Sequence, residues 1–190
     1  KTVDYEIYES VIRSSARLAY DDISDIIEND DAALKAQYAD IYPDIMLMAE
    51  LAAILSSARD ARGNLDFDFD EAHITLGEDG IPLSIDIASR RTANRLIEEF
   101  MLLANETIAE HFALKEMPFV YRVHERPTEE KIEELALFLA GFSIRLPQEG
   151  AGIHPGVLAD ILRRVKDMPY ENVISTVMLR SMQKARYLPV

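Results

Sequence analysis

Asn94, Glu98 and Asn105 are the polar residues whose spacing asks for an explanation. Placed at 100° steps around a helix over residues 92–113, they fall within roughly 40° of one another. Leu96, Ile97, Phe100, Met101, Leu103, Ala104 and Ile108 spread over a wide apolar arc around them, and Leu102 lies nearly opposite. A helix apolar almost all round is expected to be central. Arg95, Glu99 and Glu106 form a second polar group elsewhere on its circumference. A carboxylate between two carboxamides on a buried helix is costly unless each group finds a partner. Periodicity leaves two readings open: a stripe that borders solvent or a neighbouring loop, and a polar line that faces a ligand channel.

Other chemistry is thinner. His73, His111, His124 and His154 show no H-x-x-x-H or H-E-x-x-H spacing, so no zinc site is indicated. There is no G-x-S-x-G, P-loop or G-x-G-x-x-G. Asp66, Asp68 and Asp70 superficially resemble a calcium loop, but the glycine and the closing glutamate of such a loop are missing. Their alternation with Leu65, Phe67 and Phe69 says strand instead. Cysteine is absent, which excludes disulfides and thiolate ligands. Tyr20 and Phe67 are ordinary aromatics when taken singly.

The elements that must position these residues read as α+β, predominantly helical with a β-hairpin and short strands. Residues 5–15 suggest a strand and 22–28 a short helix. Residues 31–60 carry apolar residues at spacings of three and four, and Pro43 is expected to kink that helix or split it in two. Gly63 is its expected stop. A hairpin follows, from the Leu65/Phe67/Phe69 alternation through Ile74 and Leu76 to a turn at Glu78-Asp79-Gly80, returning along Leu83, Ile85 and Ile87. After the helix at 92–113 come a short strand at 119–123, a helix capped by Thr128 and ended by Gly141, and a Gly/Pro loop at 148–156. Two further helices are expected at about 155–166 and 170–185. The few strands are expected to need partners from elsewhere.

With 190 residues and 48% apolar content the chain is large enough for one domain with a real core. Its net charge of −14 argues against a free-standing nucleic-acid binder, because phosphate contacts need Lys and Arg. The charge is uneven. From Asp160 onward six basic residues stand against three acids, leaving +3 there and −17 over the rest. A solvated acidic helical surface accounts for that balance on charge alone. No run approaches a membrane span. Lys1 and the final Tyr187-Leu188-Pro189-Val190 suggest a piece truncated at both ends.

Five ordered blocks give a more specific reading. Ser14-Ser15-Ala16-Arg17-Leu18-Ala19-Tyr20 resembles the S-S-x-A-R-L-x-Y stretch of the RNase II/RNase R (RNB) family. The segment from Arg59 to Phe67 resembles its A-R-x-x-R-G-x-x-x-F, and Arg90 to Asn105 its I-E-E-x-M-x-x-A-N helix. Phe119 to Pro127 is similar to its R-x-H-x-x-P, and Leu179 to Tyr187 to its L-R-S-M-x-x-A-x-Y. The likeness is to the ribonuclease R branch.

That resemblance implies an incomplete part of an RNB catalytic domain, without the flanking cold-shock and other RNA-binding domains. It implies a processive, hydrolytic, cytoplasmic 3′→5′ exoribonuclease that degrades single-stranded RNA to nucleoside monophosphates. Magnesium serves the intact enzyme, held by aspartates N-terminal to this region, and an assisting arginine lies beyond it. No catalytic or metal-binding residue is therefore expected in these 190 residues, which alone should be inactive and metal-free. Carried over by motif, Tyr20 lies near the 3′-terminal nucleotide, Phe67 stacks on the last bases, and Glu98 sits beside the terminal ribose. Glu99 is the alternative register for Glu98, and Phe69 the rival of Phe67. Asn94 and Asn105 join the set through the helical stripe. The implied partner is single-stranded RNA, with neither DNA nor a membrane. The competing reading is an acidic helical protein-interaction domain without catalysis.

Overall fold

Pro43 decides the N-terminal architecture. Proline has no N–H to give, so it suits a first helical turn and breaks a helix interior. In the computed structural model, which describes residues 2–67, 69, 71–88, 90–147 and 153–189, the chain breaks its helix just before this proline. The expected long helix is thus two, α2 (Ala32–Gln37) and α3 (Tyr42–Ala61), with Pro43 in the first turn of α3. Asp31 caps α2 by accepting the amides of Ala33 and Leu34 at 2.8 and 2.9 Å. The preceding helix α1 is Tyr20–Glu28.

Next comes the hairpin, β1 (Glu71–Leu76) and β2 (Pro82–Ala88), antiparallel with Ile74 opposite Ile85. Gly80 adopts φ +77° in its turn, where a side chain would be strained. Beyond it lie α4 (Thr92–Leu114), β3 (Val120–Val123), α5 (Glu129–Ala140), α6 (Pro155–Val165), α7 (Glu171–Ser181) and β4 (Arg186–Pro189). Thr128 caps α5, accepting the Lys131 amide at 3.3 Å. The class is α+β: seven helices and two small antiparallel sheets among the described residues.

Five expectations need correction. Residues 5–15 form no strand: no second strand pairs with them, and β propensity without a ladder leaves the backbone to water. Val3, Tyr8, Val11 and Ile12 are accordingly exposed, and Tyr5 touches α4 through a 3.1 Å hydrogen bond between its hydroxyl and His111 Nδ1. The first hairpin strand starts at Glu71 rather than Leu65, because Leu65 and Phe67 turn away to pack on the C-terminal core. Asp68 and Asp70 lie outside the described residues, as does 148–152 of the Gly/Pro loop. The last helix ends at Ser181, and the chain then turns extended to form β4. That strand is the partner of β3, with Arg122 opposite Tyr187, so β3 is paired within the chain.

Two apolar centres result. Ile132, Leu135, Leu139, Ile174 and Met178 bind α5 and α7 together, joined by Leu158, Ile161 and Val165 of α6. Ile23, Ile26, Ile45 and Ala93 bind α1, α3 and α4. The sequence made α4 apolar almost all round and central, but Met101 is 58% exposed and only Ala93, Leu96 and Glu99 of that helix are buried. Its packed face is the N-terminal half, where α1 and α3 meet it.

Docking of α1 on the start of α4 is polar. The first amides of a helix have no intrahelical partner. Here Glu28 accepts the Thr92 amide at 2.9 Å, and the fully buried Ser24 accepts that of Ala93 at 3.2 Å. Arg91 reaches Asp25 at 2.6 Å and Glu28 at 2.8 Å. Hydrogen bonds from the Thr92 side chain and backbone, then from Arg91, lower the Glu28 pKa from 4.5 to about 2. A carboxylate depressed in the folded state stabilises it above its unfolded pKa and loses that contribution as pH falls. The α1–α4 contact should therefore hold above pH 4.5 and weaken as pH drops towards 2. An acid titration followed by tyrosine near-UV dichroism should show this, and Glu28→Gln should flatten that part of the curve.

Candidate functional site

Gly63 brings the two halves together. It follows α3 with φ +87°, and a Cβ there would lie 2.8 Å from the backbone nitrogen of Gly156 in the first turn of α6. Such an approach needs glycine on steric grounds. The segment after it, Asn64 to Phe67, runs between the N-terminal helices and the C-terminal core.

A cleft of about 980 Å³ opens on one side of that segment. Phe67, the end of β2, Arg90, and Asn94, Arg95 and Glu98 of α4 form one wall, while α6 and α7 supply the other through residues such as Arg163 and Lys166. Phe67 lies parallel to Phe69, ring centroids 6.0 Å apart and planes within 3°. Phe67 is half-buried with its inner edge on the C-terminal core.

Arg90 organises the polar part. Its Nε donates to both Glu98 carboxylate oxygens at 3.1 and 3.2 Å, a terminal nitrogen closes the fork on Glu98, and another donates to Asp66 at 3.0 Å. Bidentate pairing fixes the carboxylate in orientation as well as in place. Bonding to Glu98, ahead of Asp66, raises the Arg90 pKa further above its already high value. Glu98 stays 41% exposed despite the pairing. Asn94 accepts the Arg91 amide at 3.2 Å, so its carbonyl oxygen serves the start of the helix.

Of the residues singled out from sequence, Phe67, Asn94 and Glu98 line this one cleft. Tyr20 does not; it opens α1 and is 53% exposed. Asn105 also lies elsewhere, exposed on the distal half of α4, because the packed face of that helix ends before it. The buried charge is Glu99 rather than Glu98. Glu99 turns towards α3, where Arg59 donates to it through Nε at 3.2 and 3.3 Å and through a terminal nitrogen at 2.5 Å. Their side chains are 19% and 6% exposed, Arg59 first. The helical wheel shows that two polar groups exist on α4 but not that an arginine of α3 takes one of them.

Arg90 is the main residue that periodicity missed. It precedes the helix and so falls outside any wheel, and its signal was its place at the start of a motif block. Among the described residues no three His, Asp or Glu side chains converge to hold a metal ion. Within the cleft, Asp66 and Glu98 are both bonded by Arg90, and Asp60, Asp167 and Glu171 also line it.

A second cleft, of about 1450 Å³, shares Asn64 and Phe67 with the first. Its other walls are the stretch from Arg122 to Pro127, the start of α6, and the end of α7 through Ala185. No helix among the described residues is long and apolar enough to cross a membrane.

The sequence matches the RNB domain family over residues 1–190. It is 41% identical over 187 residues to ribonuclease R 1 of Lactococcus lactis, covering 98% of this chain and 23% of that protein. With ribonuclease R of Thermotoga maritima it shares 40% over 191 residues, which is 100% of this chain and 26% of that one. The fold is similar to Mycoplasma genitalium RNase R solved in complex with ribose-methylated single-stranded RNA. The TM-score is 0.76 at 25% identity, over 89% of this chain and 26% of that one. The chain thus spans about a quarter of the length of the curated relatives it matches.

Proposed function

The chain belongs to the RNB-domain family of ribonuclease R-like proteins, and on that premise we propose that it is part of a processive, hydrolytic 3′→5′ exoribonuclease. The substrate is single-stranded RNA and the products are nucleoside monophosphates, in the cytoplasm. These 190 residues hold the 3′ end of the strand in the first cleft. The aspartates, their magnesium and the chemical step belong to other parts of the protein.

The convergence of Phe67, Asn94 and Glu98 on one cleft supports this reading most. An aromatic face suits a base of any sequence. A carboxylate suits a ribose 2′-hydroxyl, the group that separates RNA from DNA. Glu98 has capacity to spare: an ionised carboxylate offers about four lone-pair sites, and Arg90 does not fill them all. Arg95, Arg163 and Lys166 stand along the same walls among the carboxylates Asp60, Asp167 and Glu171, so the charge there is mixed. Tyr20 is assigned to the neighbourhood of the 3′ terminus on the family resemblance alone.

The deciding experiment is Glu98→Ala in the parent protein, read as preference for a ribose over a 2′-deoxyribose 3′ end. Loss of a hydrogen bond to a charged group, worth about 1.5–3 kcal/mol, should cut that preference by about tenfold or more.

A further inference from the structure

The second cleft has a charge character unlike the rest of the molecule. In a chain of net charge −14, four cations line it: Arg122, Arg126, Arg180 and Lys184. None of their side chains makes an ion pair or hydrogen bond among the described residues. The single carboxylate on the wall, Glu125, is already held by Arg186. By contrast, Arg59, Arg90 and Arg91 each bind one or more acids. Four cations brought to one concave surface repel one another, and an anion placed among them relieves that repulsion.

The pairing of β3 with β4 makes the cluster. It brings the Arg122 segment beside the chain leaving α7, so cations about sixty residues apart in sequence face the same space. The start of α6 lines the cleft too, adding the positive end of a helix dipole. Leu65, Phe67, Leu158 and Met182 provide an apolar floor. Cations over an apolar, partly aromatic floor are the chemistry of a single nucleic-acid strand: phosphates to the charges, bases to the floor.

We propose that this second cleft is a phosphate-backbone site for the part of the RNA strand that lies 5′ of the nucleotides in the first cleft, with Phe67 at the junction. The inference rests on the proposed function and extends it to a second segment of the same strand. Short strands are held by the first cleft alone. Longer ones gain the contacts of the second, together with their salt dependence.

The test is equilibrium binding to the full-length parent protein, with chelator present to prevent degradation. The probes are a labelled RNA trinucleotide and an oligomer of about twelve nucleotides, across a range of potassium chloride. The double variant Arg122→Gln/Arg180→Gln should weaken the longer strand by about tenfold and reduce its salt slope by about 1.4, near 0.7 for each lost contact. Binding of the trinucleotide should not change. The variant Arg122→Lys/Arg180→Lys, which keeps the charge, should retain most of the slope. Unchanged affinity and slope for the longer strand in the Gln variant would overturn the proposal. So would a Gln variant that binds both lengths normally but melts at a lower temperature without RNA, since the cleft would then cover a protein segment. A wild-type protein that binds neither probe would instead overturn the proposed function itself.

Discussion

Replacing Glu99 by alanine should cost about 2–4 kcal/mol of stability. Breaking a buried ion pair typically costs about 3–5 kcal/mol, because the remaining charge is left without a partner in a poorly solvated place. A modest discount applies because the Arg59 side chain keeps 19% of its exposure. A guanidinium is basic enough to stay charged when the glutamate goes, even without the bond that raises the Arg59 pKa. The pair links residues forty positions apart and fixes α3 against the half of α4 that carries Asn94 and Glu98. For a chain of this size the loss corresponds to a fall in melting temperature of roughly 5–15 °C. Removing both charges should restore much of it: Arg59→Met/Glu99→Leu keeps the volume apolar, and a double-mutant cycle isolates the coupling. A fall of less than about 2 °C in Glu99→Ala would mean that water reaches Arg59 and the lock does not exist.

Phe67→Leu in the parent protein should weaken single-stranded RNA by about fivefold to a hundredfold. Stacking of one base on an aromatic ring is worth about 1–3 kcal/mol. Leucine is the informative choice because Phe67 also packs on the C-terminal core, and alanine would mix lost stacking with a cavity. Phe69→Leu is the natural comparison, since the two rings lie parallel in the same cleft. The larger effect should fall on Phe67, which borders both clefts whereas Phe69 lines only the first. Equal losses at the two positions would make them one platform. A loss at Phe69 alone would reassign the stack.

Much of this was legible before any coordinates, where local rules act alone. Pro43 marked the start of α3, Thr128 the start of α5, and Gly80 the hairpin turn, each through backbone chemistry within a few residues. Asn94 and Glu98 were found by a wheel because three or four residues separate neighbours on one helical face. What escaped depends on partners far along the chain. β4 is four residues long and contains Pro189, so nothing in it announces a strand until β3 supplies the ladder. Residues 5–15 have strand-like composition and no such supplier. The Glu99 lock needs α3 folded back on α4 before Arg59 can reach it. The basic cleft follows the same logic: Arg180 and Lys184 were visible as part of a +3 stretch, but only the β3–β4 pairing sets Arg122 and Arg126 across from them.

The central claim is that the first cleft holds the 3′ end of an RNA strand, with Glu98 at the sugar. It is tested most directly by competition in the parent protein between strands that differ only in the 2′-hydroxyl of the last nucleotides. The account predicts that Glu98→Ala lowers the ribose preference by about tenfold or more while overall folding is retained, because Glu98 is partly exposed and Arg90 keeps Asp66 as a partner. An unchanged preference in Glu98→Ala, with the loss appearing instead in a folded Glu99→Gln protein, would contradict it.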